Sequence, residues 1–258
     1  MTGEEEGELL ETAVAAAQAA ARELLARFGR RASGVLRKST PTDLVSDADV
    51  AAEHAIREVL SARRPGDRIL GEEGGATGEG ELLWVVDPLD GTINYLFGIP
   101  AWAVSVACED ASGAVVGAVL DPLREELFTA TRSGAARLGG TAITAPQAGE
   151  LSEALVATGF GYDSSVRARQ GAVVARVLPR VRDIRRVGAA ALDLVWTACG
   201  RFDAYYERGV QRWDVAAGTL IAARAGLQVR DLPPRGDDAA GVVTAPAALI
   251  DELVGLVE

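Results

Sequence analysis

Histidine and cysteine are nearly missing from this chain. His54 is the only histidine in 258 residues, and Cys108 and Cys199 are the only cysteines. A zinc site of the usual histidine–cysteine kind therefore lacks ligands, and a Ser-His-Asp triad would have to be built on His54 alone. The two cysteines stand far apart with no Cys-x-x-Cys spacing, which fits reduced, buried thiols and a cytoplasmic setting. The N-terminus reads Thr2-Gly3-Glu4-Glu5-Glu6, without the basic-then-apolar pattern of a secretory leader. No apolar run approaches the roughly 20 residues that span a bilayer, so no membrane association is expected. Dense Lys/Arg runs are absent and the net charge is −11, which argues against direct nucleic-acid binding. If this chain does chemistry, carboxylates must do most of the polar work.

What is present reads as a globular protein. The composition is 48% hydrophobic and 24% charged, and 258 residues allow one large domain or two intimately packed halves. Residues 8–28 carry Leu9, Leu10, Ala13, Val14, Ala17, Ala20, Ala21, Leu24, Leu25 and Phe28 at helical spacing. A second helix is expected over 50–63, capped by Asp47 or Asp49 and ended by Pro65-Gly66. A strand at 68–70 leads into a Gly-rich segment that reads as a mobile loop through Gly80. Strands at 103–108 and 115–120 flank Asp110-Ala111-Ser112-Gly113, a hairpin signal, and strands at 127–131 and 135–138 follow. Past about residue 145 the rhythm changes. Short strands at 155–157, 183–187, 204–206, 227–230 and 242–245 alternate with helices near 166–180, 190–199, 213–225 and 246–257. The expected organisation is an α+β half over 1–145 and an α/β half over 146–258, packed as one unit.

The most informative segment is Trp84-Val85-Val86-Asp87-Pro88-Leu89-Asp90-Gly91-Thr92. An apolar strand delivers two carboxylates to a stiff turn that ends in Gly-Thr. Hard divalent cations such as Mg²⁺ need anionic oxygens at rigid spacing, with positions left open for a phosphate. Pro88 stiffens the turn, and Gly91 lets backbone approach a ligand. The same residues also suit an ordinary strand-ending turn. Other polar groups fall at predicted element ends: Lys38 with Asp43 and Asp49, Glu72 with Glu73, and Glu207 with Asp214. Each has a plainer reading. Asp49 and Asp214 suit helix caps, Glu207-Arg208-Gly209 suits a surface turn, Glu73 and Lys38 suit solvated positions, and Asp193 suits helix packing or capping.

Taken together, these segments resemble the inositol monophosphatase family, within the superfamily of lithium-sensitive, Mg²⁺-dependent phosphatases that also holds the fructose-1,6-bisphosphatases. The resemblance rests on Gly71-Glu72-Glu73, Asp87-Pro88-Leu89-Asp90-Gly91-Thr92, Val187-Gly188-Ala189-Ala190-Ala191-Leu192-Asp193-Leu194, Tyr206-Glu207 and Trp213-Asp214-Val215-Ala216-Ala217-Gly218. It covers nearly the whole chain. It implies a mixed α/β fold, layered as an α/β/α/β/α sandwich, and a homodimer. It also implies two to three Mg²⁺ ions per active site. Glu72, Asp87 and the Leu89 carbonyl match ligands of the first ion, and Asp87, Asp90 and Asp214 match ligands of the second. Glu72 also matches a position that helps hold a third. Asp49 and Thr92 match the pair that orients the attacking water, and Gly91 and Thr92 match phosphate-cradling amides. Gly188, Ala189, Ala190 and Glu207 match contacts to the alcohol, while Asp90 and Asp214 also border the substrate.

The implied activity is hydrolysis of a small phosphomonoester, inositol 1-phosphate first, by a metal-activated water. Fructose 1,6-bisphosphate, histidinol phosphate and a nucleotide 3′-phosphate are alternatives, as is a regulatory binding role on the same fold. A bisphosphate site would want extra basic residues. Arg185 and Arg186 are candidates for that, or for anchoring structure or a subunit interface. Two departures bear on substrate. Ala189 stands where many relatives carry Ser or Thr, and Ala223-Arg224-Ala225-Gly226 replaces a common Glu-Ala-Gly-Gly run.

Overall fold

Helix α1 (Gly3–Arg27) starts at Gly3 rather than residue 8 because Thr2 caps it. The Thr2 side chain accepts from the Glu5 amide at 3.2 Å, and the Glu5 carboxylate accepts from the Thr2 amide at 2.6 Å. Acids in the first turn and Arg27 in the last suit the helix dipole. The structure, a computed structural model, describes residues 1–29, 36–37, 44–147 and 149–258. Lys38 and Asp43 lie outside the described residues.

In chain order α1 is followed by β1 (Leu36–Arg37), β2 (Leu44–Val45), α2 (Asp47–Arg63), β3 (Arg68–Gly71), β4 (Gly75–Thr77), β5 (Leu83–Asp90) and α3 (Thr92–Leu96). Then come β6 (Ala103–Asp110), β7 (Gly113–Asp121), β8 (Glu126–Thr131), β9 (Arg137–Leu138) and β10 (Thr141–Ala142). The remainder is β11 (Leu155–Thr158), α4 (Ser164–Val177), β12 (Asp183–Arg185), α5 (Ala190–Ala198), β13 (Ala204–Arg208), α6 (Arg212–Arg224), β14 (Gln228–Leu232), β15 (Gly241–Ala245) and α7 (Ile250–Val257).

The first large sheet has the order β10-β9-β8-β7-β6-β5-β3-β4, antiparallel except where β3 runs parallel to β5. The second has the order β12-β11-β13-β15-β14, with β11 parallel to both neighbours and β15 antiparallel to β13 and β14. Both sheets are covered on two faces. In β5, Trp84 and Val86 enter the core beneath α1 and α2, while Val85 between them enters the core beneath α5 and α6. In β13, Tyr205 faces α5 and α6, while Ala204 and Tyr206 face the core of α7. Side chains alternate across a strand, so a strand covered on both faces reads as continuously apolar. The layers therefore run α1/α2, first sheet, α5/α6, second sheet, α4/α7, which is the α/β/α/β/α sandwich. Among the described residues no helix is long and apolar enough to cross a membrane.

Three local expectations change. Ser46, not Asp47 or Asp49, is the N-cap of α2, and Asp49 closes its capping box from the third helical position. The Gly-rich segment contains β4, which pairs with β3 from Gly71↔Gly75 to Ile69↔Thr77. An edge strand held by backbone bonds needs no alternation of side chains, so its sequence looks like loop. Finally, β5 does not stop before the acidic turn: it continues through Asp90 with a register shift between Asp87 and Asp90 against β6.

Candidate active site

A cavity of about 420 Å³ opens where the end of β5 meets the first turns of α5 and α6 and the end of β13. Every site residue expected from the sequence, except Asp49, lines it. Asp49 stands one shell behind, 1% exposed, and reaches the site through Thr92.

The β5 irregularity sets the two acids. Asp87 Oδ1 accepts from the Leu89 amide at 3.0 Å, so the carboxylate folds back over its own turn. Gly91 follows at φ +91, where a Cβ would meet the Ala101 carbonyl at 3.0 Å and Ala189 Cβ at 3.2 Å. Only glycine accommodates both the angle and that approach. Asp90 points to α5, whose N-cap Ala189 has no side chain able to cap it. Asp90 does so instead, accepting from the Ala190 amide at 3.0 Å and the Ala191 amide at 2.7 Å. Ala190, expected at a position that contacts the alcohol, thus has its amide engaged by Asp90.

Asp49 and Thr92 form a relay. Asp49 Oδ2 accepts from the Ser46 amide and hydroxyl at 2.9 and 2.6 Å, which leaves Oδ1 facing Thr92 Oγ1 at 3.1 Å. The Thr92 hydroxyl has one proton, shared between Asp49 and the Leu89 carbonyl, also 3.1 Å away. Its lone pairs can accept from a water. Burial raises the Asp49 pKa, against the lowering effect of its bonds from Ser46 and Thr92.

Electrostatically the acids at the end of β5 raise one another's pKa values. Burial pushes Asp87 well above the usual carboxylate range, and the charges of Glu72, Asp90 and Asp214 push it further. Asp90 is raised to about 7, chiefly by burial, with the amides of Ala191 and Ala190 opposing. Glu207 is also raised to about 7 by burial, opposed by a 3.0 Å bond from Tyr205 Oη. Glu207 lies at the end of β13, not in a surface turn. Asp214 begins α6 in a capping box, accepting from the Gln211 amide at 2.6 Å. His54 is exposed on α2 beside Glu58, away from this chemistry. Asp193 is 0% exposed, and neither carboxyl oxygen has a hydrogen-bond partner among the described residues.

Sequence reasoning missed Glu53. Its carboxylate is buried, pairs with Arg57 at 2.7 Å, and accepts the amides of Glu73 and Gly74 at 2.7 and 2.8 Å. It therefore fixes the turn that carries Glu72. An acid in mid-helix, four residues before an arginine, looks like an exposed ion pair. Asn94 was missed as well; its amide donates to Ala101 and Val187 carbonyls and ties α3 to the segment before Gly188.

The donor set fits a hard divalent cation. Glu72, Asp87, Asp90 and Asp214 offer carboxylate oxygens and Leu89 a carbonyl, with no nitrogen or sulfur ligand among the described lining residues. A buried carboxylate whose neighbouring acids all raise its pKa, opposed only by the Leu89 amide, is one that a cation would stabilise. Among the described residues, no three acid, histidine or cysteine side chains are already gathered into ion-holding geometry. The acids share a wall without closing on a point.

Comparison with known proteins agrees with this layout. The model of the inositol monophosphatase family matches residues 5–255. The chain is 44% identical over 245 residues to the inositol-1-monophosphatase SuhB of Mycobacterium tuberculosis, covering 91% of this chain and 84% of that protein. It is 41% identical over 230 residues to a protein named Nus factor SuhB from Xylella fastidiosa, covering 87% and 84% of the two chains. The crystal structure of extragenic suppressor protein suhB from Bartonella henselae superposes with a TM-score of 0.88 at 32% identity, over 97% of this chain and 98% of that one. A family match over residues 5–255, with a relative 44% identical across most of both chains, places the chain in the inositol monophosphatase family.

Proposed function

We propose that this chain hydrolyses a small phosphomonoester in a divalent-cation-dependent reaction, with inositol 1-phosphate as the first substrate to test. The observation that carries the reading is the all-oxygen set of acids that lines the cavity around the buried Asp87, backed by the Asp49–Thr92 pair. Glu72, Asp87, Asp90, Asp214 and the Leu89 carbonyl would hold the ions, taken as Mg²⁺. Bound there, they supply neutralisation of the phosphate dianion, activation of water and stabilisation of the departing alkoxide. The protein's own groups position the reactants. Thr92 gives its proton toward Asp49 or the Leu89 carbonyl, so its oxygen accepts from the attacking water and fixes its direction. Amides of Gly91 and Thr92 hold the phosphate, and Glu207, steadied by Tyr205, accepts from hydroxyls of the alcohol.

Support comes from the acid geometry and from relatives named as inositol monophosphatases. The test is a phosphate-release screen with and without Mg²⁺ and Li⁺. It should cover inositol 1-phosphate, fructose 1,6-bisphosphate, histidinol phosphate and adenosine 3′,5′-bisphosphate. Mg²⁺-dependent release from inositol 1-phosphate, inhibited by Li⁺, is expected; no release from any of the four would sink the reading. Relatives named Nus factor favour a second reading, a binding role in transcription on the same fold. That reading gains if purified protein co-sediments with transcription components while releasing no phosphate.

A further inference from the structure

Gly159 follows β11 directly, and the neighbouring strand sets its surroundings. β11 runs parallel to β13 with Thr158 beside Tyr206, so the next step puts Gly159 beside Glu207. The Glu207 carboxylate lies against the bare Cα of Gly159: a Cβ there would overlap both oxygens and the carboxyl carbon. Gly159 is buried, and its φ lies outside the left-handed region, so any L-residue could adopt its backbone. Gly91 and Gly188 differ, since each sits at positive φ. At those two positions conformation alone calls for glycine. At Gly159 the call comes from the room that one carboxylate takes.

Glu207 has a second fixed point. Tyr205 is wholly buried, two residues back on the same face of β13, and its hydroxyl donates to Glu207 Oε2 at 3.0 Å. The hydroxyl has one proton and meets one oxygen, so it makes no claim on Oε1, and Glu207 lines the cavity. A carboxylate pinned by a hydroxyl and seated on bare backbone accepts at a fixed depth. An alanine at 159 would drive it off by about 1 Å or more, a misplacement large enough to matter in a reactive complex. The obstacle is the far end of a flexible side chain. The fold can therefore yield there cheaply while the acceptor moves.

We propose that Gly159 is a specificity-determining residue. By leaving its side-chain space to the Glu207 carboxylate, it sets the depth at which a hydroxyl of the alcohol is accepted, and so selects phosphomonoesters of polyols over those of bare alcohols. This rests on the phosphatase reading above. The experiment uses a matched pair, inositol 1-phosphate and cyclohexyl phosphate, one ring with hydroxyls and one without. G159A should lower the kcat/KM ratio, inositol over cyclohexyl, by about 10-fold, the scale of one hydrogen bond to a charged group. The fall should appear in KM for inositol 1-phosphate, with cyclohexyl phosphate turned over as by wild type. E207A should lower the ratio as well. Adding G159A to E207A should lower it no further, because Gly159 acts through that acid.

Calorimetry with methylenephosphonate analogues of both substrates, which cannot be hydrolysed, gives the same ratio without turnover. Failure of the wild type to release phosphate therefore sinks the phosphatase reading alone. Wild type that binds the two analogues alike, or binds neither, overturns the inference. So does a ratio that G159A leaves unchanged, an equal loss on both members of the pair, or a further fall when G159A is added to E207A. The melting temperature of G159A should stay within about 2 °C of wild type. A larger drop with no change in the ratio marks a packing role and overturns the inference too.

Discussion

Asp90 and Asp110 lie at the ends of neighbouring strands, and the protein pulls their acidities in opposite directions. Asp110, at the β6–β7 hairpin, is met by both guanidinium nitrogens of Arg132 at 2.8 Å and by the Ser112 amide at 2.7 Å. Those bonds bring its pKa down to about 2. Asp90 has two amides but no cation, and burial beside other acids brings it up to about 7. One aspartate is satisfied by the chain itself; the other is held short of positive charge. The difference separates an acid that secures a turn from one that the proposed function assigns to an ion.

The comparison can be broken at several points. Asp90→Asn should lower turnover by about 100-fold or more, the scale of losing one key electrostatic group. The same variant should lose the rise in melting temperature that Mg²⁺ gives the wild type, read by differential scanning fluorimetry. Asp49→Asn should cost about 10- to 100-fold in kcat with little change in KM, because it acts through Thr92. Steady-state kinetics decide this, and an unaltered kcat would remove Asp49 from the mechanism.

Glu53→Gln should weaken Mg²⁺ activation by about 10-fold, seen as a higher half-activating concentration, by loosening the turn that carries Glu72. Asp110→Asn should leave turnover alone and lower the melting temperature by about 2–4 °C, the shift given by about 1 kcal/mol in a chain of this size. Loss of activity in that variant would undo the contrast with Asp90. The smallest effect concerns pH. The depressed Asp110 pKa contributes stability that is complete above its unfolded value of about 4. That contribution fades as pH falls toward about 2. Chemical denaturation across this window should show a shallower acid slope in R132Q than in wild type.

The hairpin was legible because Asp110 to Gly113 carries its turn chemistry locally, and the apolar runs of β6 and β7 stand on either side of it. The five layers were reached through family resemblance; composition and periodicity showed only mixed α/β. Acids around Asp87 were legible because strand, proline and glycine stand next to them in sequence. Glu53 was not, since its value comes from amides 20 and 21 positions away. Nor was the cap of α5, which sits 100 and 101 positions from the amides it serves. The start of α1 was missed for a different reason: Thr2 and Glu5 spell a capping box, but the acidic run was weighed only as a possible leader. β4 pairs through backbone alone, so its glycines conceal it.

Asp90 closes the N-terminus of α5 with two hydrogen bonds from outside that helix. The carboxylate therefore has two claimants, a helix end and whatever positive charge enters the cavity. Any ion that draws its oxygens away must loosen its hold on the Ala190 and Ala191 amides, and those amides become the chain's internal gauge of occupancy. Proton exchange at two alanines, neither with a functional side chain, would then register the filling of the site through Asp90.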